Sequence, residues 1–361
     1  MGLVSQQEKL GRTIAGASIK NYVLLQSNDF AFNKSATKAF PQGYIARYAG
    51  GERAAVPNSI FTCFRVDEHR VVPAYLDYLF SSNLHGKWLR NYIATGARAH
   101  GSLNVNDDDL MALPVPLPDG STSIKEQQKI ADCLSSLDEV IAAQGRKVEA
   151  LKTYKRGLME QLFPSEGETL PRLRFPAFGD GPDWAAQPLS DVAVNLDNER
   201  MPVAESERLK GDIPYYGASG VIDYVEGYLF NENLLCVSED GANLVTRTYP
   251  IAFPIAGKTW VNNHAHVLRF EDLATQKVVE DYLNSTDLRD FITGMAQPKL
   301  NRAMVDTIPV PLPGADERKK IADCLSSLDA QIVGDSCMLE ALRTHKRGLM
   351  QQLFPPSEES L

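Results

Sequence analysis

The chain has 361 residues, of which 43% are apolar and 23% charged, a composition typical of a soluble protein with two or three domains. No apolar run reaches the roughly 18 residues that a membrane helix needs, and the N-terminus lacks the apolar segment of a secretory signal. The net charge of −9 argues against a nucleic-acid-binding protein. Five scattered cysteines without a C-x-x-C pair argue against a zinc site and for a reducing cytoplasm.

The first predicted globular segment covers residues 1–118 and is slightly basic, with 12 Lys and Arg against 9 Asp and Glu. Short β-branched or aromatic stretches predict strands at Asn21–Leu25 and Phe61–Val66. The stretch Pro73–Asn83 predicts a short helix. The stretch Thr95–Asn106 is glycine-rich and basic, so that its backbone could approach a phosphate group or a groove of DNA.

A long helix is predicted in residues 119–165, after the turn-forming stretch 119–123. It ends at Phe163-Pro164, because proline cannot continue a helix. Apolar residues occupy eight of the ten a and d positions over five heptads, a stripe typical of a coiled-coil seam, with ordinary core packing as the alternative. The predicted seam residues of this helix are Ile130, Leu134, Leu137, Ile141, Val148, Leu151, Leu158 and Leu162.

A proline- and glycine-rich linker is predicted in residues 166–183, before a second globular segment at 184–313. This segment is acidic, with 10 Lys and Arg against 18 Asp and Glu, so any DNA contact here must come from local basic clusters or from a partner. Its predicted strands are Leu234–Val237, Tyr249–Ile255 and His266–Phe270, and its predicted helix is Gln276–Ser285.

The last segment, residues 314–361, repeats the long helix. Ile130–Asp138 is identical to Ile321–Asp329, and Glu149–Pro164 matches Glu340–Pro355 at 13 of 16 positions, both at an offset of 191 residues. The chain is therefore a tandem duplication with similar helices and dissimilar globular segments. The predicted seam residues of the second helix are Ile321, Leu325, Leu328, Ile332, Leu339, Leu342, Leu349 and Leu353.

Each seam needs a partner helix, and the most economical partner is the other copy in the same chain. An antiparallel pair would place the globular segments at opposite ends of the helices, and a parallel pair would place them together. The residues alone do not decide between the two. The predicted fold class is mixed α/β, or α+β, with two globular segments joined by two long helices.

Four stretches of the chain resemble the specificity subunits of type I restriction–modification systems. They are KRGLMEQLFP (155–164), KRGLMQQLFP (346–355), PRLRFPAF (171–178) and GKTWVNNHAHVL (257–268). The resemblance covers nearly the whole chain. It implies two target recognition domains, 1–118 and 184–313, joined by conserved helical regions, 119–165 and 314–361, in an intramolecular antiparallel coiled coil. Each domain would read one half of a split double-stranded DNA target, with the helices as a spacer ruler.

The resemblance also implies a non-catalytic chain without a cofactor of its own and without a membrane partner. Two modification subunits would dock on the helical regions and methylate adenine with S-adenosylmethionine. Restriction subunits would translocate DNA with ATP and Mg²⁺ and cleave it. The second domain opens with a tryptophan-containing stretch at Trp184, which the first does not show, so the first domain is expected to be N-terminally short.

Basic and amide residues in loops are the candidates for DNA contact, because they donate to phosphates and base edges. Each could equally be a solvated surface residue. The asparagines at 106 and 301 could equally be helix N-caps, and His266, in an alternating strand, is expected to be structural. The candidates are Lys34, Arg47, Arg53, Arg98, His100 and Asn106 in the first segment, and Lys258, Asn262, Asn263, His264, Lys299 and Asn301 in the second.

Catalytic signatures are missing from the sequence. Gly257-Lys258-Thr259 lacks the glycine that a P-loop needs at position 252, which is Ala252, and there is no Asn-Pro dipeptide, G-x-S-x-G or H-E-x-x-H. This favours a binding protein without a metal site. The alternatives are a coiled-coil adaptor that binds proteins, a degenerate or regulatory specificity subunit that docks on modification subunits, and a nuclease or methyltransferase in its own right.

Overall fold

The structure is a computed structural model that describes residues 3–5, 7, 11–12, 17–93, 103–165, 167–294 and 297–354. The chain divides into two compact units. The first unit comprises residues 1–145 and 337–361, and the second unit comprises residues 146–336. Each unit therefore contains one globular segment together with part of each long helix, whereas the sequence pattern places boundaries at the starts of the helices.

The first unit is built on a three-stranded antiparallel sheet. The five strands of this unit are β1 (Tyr22–Leu25), β2 (Phe30–Asn33), β3 (Tyr44–Arg47), β4 (Ala54–Pro57) and β5 (Phe61–Phe64). Its short helices are α1 (Pro73–Ser81), α2 (Leu84–Leu89) and α3 (Asp107–Met111). The sheet has the order β3-β2-β5, while β1 and β4 form a separate antiparallel pair. Phe30 and Phe32 of the central strand are fully buried. They pack against the apolar face of α1, which begins with proline at a position that needs no N–H donor.

The long helices are α4 (Ser123–Leu162) and α9 (Ala315–Leu353), which confirms both predicted helices and their stops before Phe-Pro. Every one of the sixteen predicted seam residues is buried or half-buried, as a seam requires. The most buried of them are Leu134, Val148, Leu162, Ile321 and Leu325.

Within each unit, ion pairs show that the two helices run antiparallel. In the second unit, Lys147 Nζ lies 2.8 Å from Asp335 Oδ1, and Lys155 Nζ lies 2.7 Å from Asp329 Oδ1. Residue numbers therefore increase along α4 in the direction in which they decrease along α9. In the first unit, Lys346 Nζ lies 2.6 Å from an oxygen of Asp138, and Phe354, further along the chain, shares a core cluster with Leu134, which precedes Asp138. The lysine breaks in the two heptad patterns are therefore equivalent ion pairs, and charged residues at such positions fix the register of a helix pair.

The second unit contains two four-stranded sheets and a two-stranded one. Its strands are β6 (Ala185–Pro188), β7 (Val194–Asn195), β8 (Lys210–Gly217), β9 (Gly220–Val225), β10 (Phe230–Asn231), β11 (Leu234–Ser238), β12 (Ala252–Ile255), β13 (Lys258–Val261), β14 (Ala265–Arg269) and β15 (Pro309–Leu312). Its short helices are α5 (Leu189–Val192), α6 (Asn243–Thr246), α7 (Leu273–Ser285) and α8 (Arg302–Thr307). The strand orders are β12-β11-β14-β7, β10-β13-β8-β9 and β15-β6. Pairing is antiparallel except between β13 and β8.

The predicted strands of the second segment are found, with one boundary that differs. The apolar run of β11 is wholly buried as an inner strand of its sheet, and α7 begins where Asp272 accepts a hydrogen bond from Thr275 N at 2.8 Å. The strand expected from Tyr249 begins only at Ala252. The backbone of Tyr249 is instead bound by the Asn243 side chain, at 2.9 and 3.0 Å, and this loop contact replaces strand pairing.

The predicted linker packs onto the second unit. Arg174 forms two parallel hydrogen bonds of 2.8 Å with the buried carboxylate of Glu317 at the start of α9. Leu173 N donates to Gln161 O, and Pro176–Phe178 forms a short 3₁₀ helix. The segment is therefore anchored in spite of its proline and glycine content. No helix in the described part of the chain combines the length and the apolar character that crossing a membrane requires.

Candidate nucleic-acid interface

Three loops of the second unit meet beside the end of β11. They are residues 239–241 after β11, residues 262–264 between β13 and β14, and residues 297–301 before α8. Glu239 N donates to His264 O at 2.9 Å, Leu300 N donates to Glu239 O at 2.7 Å, and Gly241 N donates to Pro298 O at 3.1 Å. These backbone hydrogen bonds bring together the predicted DNA-contact residues at 262–264 and at 299.

The side chains in these loops divide into exposed and structural ones. Asn263 and His264 are exposed, and His264 Nδ1 lies 2.7 Å from Asp240 Oδ2. Lys299 has 51% of its side chain exposed and its Nζ lies 3.1 Å from Glu239 Oε1. Asn262 is 5% exposed, and its Oδ1 accepts a hydrogen bond from His264 N at 2.8 Å, so it shapes the loop.

The remaining candidates of the second unit have other surroundings. Lys258 is exposed on β13, with its ammonium 4.9 Å from the centre of the Tyr228 ring, a cation–π distance. Asn301 caps α8 by accepting from Met304 N at 3.1 Å. Capping alone accounts for an asparagine at this position, without any contact to DNA.

The candidates of the first unit are not gathered in the same way. Lys34 Nζ lies 3.7 Å from Asp107, next to Asn106, which caps α3 by accepting from Asp108 N. Arg47 donates to Asp77 and Asn28. Arg53 is exposed, and Arg98 and His100 lie outside the described residues.

Beneath the loops of the second unit lies a buried ionic network that the sequence did not indicate. His266 Nδ1 lies 2.6 Å from Asp197 Oδ2, and His266 Nε2 lies 2.7 Å from Leu300 O. Arg200 contacts Glu239 at 2.8 Å and Asp197 at 3.2 Å. His266 is fully buried, which confirms its expected structural role. Asp197 and His266 are 69 residues apart along the chain, so no local pattern could have paired them.

Both carboxylates of the network are held ionised. Burial by itself raises the pKa of Asp197, but hydrogen bonding to His266 and the charges of His266 and Arg200 outweigh it and lower that pKa below its ordinary value of 3.8. Burial likewise raises the pKa of Glu239, and hydrogen bonds from Arg200 and Lys299 outweigh it, so that this pKa is also lowered.

Acid is therefore expected to destabilise the second unit through Asp197. A carboxyl group whose pKa is lowered by folding contributes stability that is fully present above its unfolded pKa and is lost as the pH falls through its folded pKa. The urea midpoint of the second unit should fall as the pH drops below about 4. In the Asp197→Asn variant, the urea midpoint should fall by less over the same pH range. Urea titrations from pH 6 to pH 3, followed by hydrogen exchange in peptides of the second unit, would measure this. An equally steep pH dependence in the variant would contradict the assignment.

Comparisons with known proteins agree on one family. The family model described as the type I restriction modification DNA specificity domain matches residues 182–334. A Haemophilus influenzae protein named as a type I restriction enzyme specificity subunit is 35% identical over 152 residues, which span 42% of this chain and 38% of that protein. The MjaX specificity subunit of Methanocaldococcus jannaschii, also named as a type I restriction enzyme subunit, is 25% identical over 329 residues, which span 86% of this chain and 74% of that one.

A solved structure is similar in fold. The crystal structure of the type I restriction–modification system S subunit from M. genitalium has a TM-score of 0.61 at 16% sequence identity. The match covers 92% of this chain and 84% of that chain, so the similarity includes the long helices as well as the globular segments.

Proposed function

Because the chain belongs to the specificity subunits of type I restriction–modification systems, we propose that its two globular segments read the two halves of a split DNA target. Recognition of a DNA sequence is the general role of this family. The observation that supports a split target is the duplication, in which nearly identical helices carry two dissimilar globular segments. Dissimilar readers on equivalent scaffolds favour an asymmetric target with two different half-sites.

The long helices are proposed as the element that sets the spacing between half-sites. α4 is continuous over 40 residues, which corresponds to about 60 Å of helix. Half-sites read by two-domain proteins lie about one turn of DNA, or roughly 34 Å, or more apart. The equivalent lysine–aspartate pairs would hold the register of the helix pair within each unit.

Catalysis in this family resides in other subunits, and assembly with them and with DNA follows from membership. We propose that two modification subunits bind the helical regions and use S-adenosylmethionine for adenine methylation. Restriction subunits would use ATP and Mg²⁺ for translocation and cleavage. The chain itself would contribute recognition and positioning.

The first test is to map methylation in DNA from cells that contain this chain and its modification partner, against a deletion of this chain. Two short half-sites with a constant gap are expected. A single short motif would mean that only one segment reads DNA, as in the regulatory or degenerate alternative. No methylation that depends on the chain would favour the protein-binding adaptor.

A single substitution should separate the two half-sites. Asn263 is exposed in the loop between β13 and β14, and an asparagine amide can bind adenine with two hydrogen bonds. Asn263→Ala is expected to weaken discrimination at the second half-site by about 1–3 kcal/mol for the base pair concerned and to leave the first half-site unchanged. Sequencing of methylated sites from a randomised target pool would show this. Loss of the first half-site instead would contradict the assignment of the segments.

A further inference from the structure

The structure assigns a positioning role in target reading to the buried network of Asp197, Arg200, Glu239 and His266, which we propose holds Lys299 and its loop in the geometry that discriminates bases. This rests on the proposed function, in which the second unit reads a half-site. The four residues do not themselves touch DNA; they act through the loop at 297–301 and the loop at 262–264.

His266 connects the strand β14 to the loop at 297–301. Its two ring nitrogens lie 2.6 Å from Asp197 Oδ2 and 2.7 Å from Leu300 O. The ring is therefore held between two oxygen atoms, one from the 3₁₀ helix Asp197–Glu199 and one from the loop at 297–301. Asp197 is fixed in turn, because its Oδ1 accepts from Val267 N at 3.1 Å. The carbonyl next to Lys299 is thus tied to a buried side chain.

Glu239 connects the network to both exposed loops. Its Oε2 accepts from Arg200 at 2.8 Å, and its Oε1 lies 3.1 Å from Lys299 Nζ. Its backbone nitrogen and oxygen bind His264 O and Leu300 N. Only 12% of the Glu239 side chain is exposed, so a nearly buried carboxylate holds a half-exposed ammonium group at a defined place on the surface.

The charges of the cluster fit this role better than a metal site. Asp197, Glu239 and His266 place possible metal-ligand atoms within 4.8 Å of one another. The guanidinium group of Arg200, however, contacts both carboxylates, and Lys299 contacts Glu239 as well. Arg200 and Lys299 supply two positive charges against the two carboxylates, so no net negative charge is left to attract a divalent cation.

Fixing the position of Lys299 should affect the discrimination between base sequences more than the overall affinity for DNA. A free ammonium group neutralises phosphate charge equally well on any sequence, whereas a fixed one makes its contact in only one register. Preorganisation of the contacting groups lowers the ordering cost of the correct complex. The same reasoning explains why an acidic segment can read DNA, because some of its carboxylates orient the few basic groups.

The test uses the chain assembled with its modification subunits and a pool of duplexes in which each half-site is randomised in turn. Glu239→Gln keeps the shape of the side chain and removes the charge that holds Lys299. Its preference for the best second half-site over single-base variants is expected to fall about 10-fold, within the range that one base pair contributes, while the preference at the first half-site stays within twofold. Total DNA binding at low salt should not weaken.

The matched control is Glu232→Gln. Glu232 forms a two-hydrogen-bond pair with Arg269, at 2.7 Å each, in the same unit and away from the two loops. It should leave both half-site preferences unchanged. If Glu239→Gln behaves like this control, or if both half-sites lose preference equally, the positioning role is wrong.

A second variant tests the proposal if the Glu239→Gln chain does not assemble with the modification subunits. Lys299→Met removes the held cation at a half-exposed position and should give the same loss at the second half-site alone; an unchanged preference would overturn the proposal. A second half-site preference that EDTA abolishes and Zn²⁺ restores would also overturn it, in favour of a metal site. If the unaltered complex shows no second half-site at all, the proposed function itself fails, which is a distinguishable result.

Discussion

Replacing Arg174 with methionine is expected to lower the free energy of unfolding of the second unit by about 3–5 kcal/mol. The guanidinium group makes two hydrogen bonds of 2.8 Å with Glu317, whose side chain is 3% exposed. Without Arg174, the Glu317 carboxylate would be left buried without these bonds, and a buried charge that loses its partner is strongly destabilising. Arg174 also donates to Gly181 O and Pro182 O, so the end of the linker should loosen as well.

Urea unfolding followed by hydrogen exchange in peptides of the second unit would measure the loss. The double variant Arg174→Met with Glu317→Leu should recover most of it, because an apolar pair leaves no buried charge. The duplication supplies a matched control in Glu126, the equivalent of Glu317 in the first copy, which is exposed. Glu126→Gln should change stability by less than about 0.5 kcal/mol. A loss in the double variant as large as in Arg174→Met would contradict the explanation.

Truncating Leu325 to alanine is expected to destabilise the second unit by about 2–5 kcal/mol. Leu325 is fully buried on α9, in one core cluster with Leu162 and Phe163 at the end of α4. The substitution removes apolar contacts and leaves a cavity that the surrounding helices fill only in part. Its equivalent in the first copy, Leu134, is also fully buried, in the core cluster of the first unit that includes Phe354. Leu134→Ala should therefore have an effect of similar size there.

Hydrogen exchange in the presence of urea would assign each loss to its unit. Val333→Ala is the control on the same helix, because Val333 is 62% exposed and its truncation should cost less than about 0.5 kcal/mol. A loss below about 1 kcal/mol for Leu325→Ala would mean that the antiparallel packing of α4 and α9 in this unit is wrong.

The helices were predictable because their signals are local. Heptad spacing and the Phe-Pro stops predicted α4 and α9 correctly, since period and proline geometry act within a few residues. The strand β11 was found for a related reason, because a short apolar run bounded by polar residues favours a buried strand. The start of β12 was predicted wrongly, since a contact from the Asn243 side chain decides it.

The candidate interface was predictable only in part. Residue type and loop position singled out His264 and Lys299, which the structure brings to neighbouring loops. Nothing in the sequence distinguished their acidic partners, Asp240 and Glu239, from the other acidic residues of this segment. Their role depends on contacts that form only when the chain folds. The structure also uses Asn301 as a helix cap, a role that the sequence left open beside DNA contact.

The sequence by itself determined the duplication and the two long helices and showed the resemblance to one family, since repeats, periodicity and motifs are properties of residue order. Only the tertiary structure decided that the helices pair antiparallel within each unit, that Arg174 anchors the linker, and that Asp197, Glu239 and His266 meet under one surface. These contacts join residues that are far apart in the sequence, and their strength depends on the distance between the charged groups and on their burial, which only the folded chain sets. Asp197 and His266 are 69 residues apart in the chain and 2.6 Å apart in the fold.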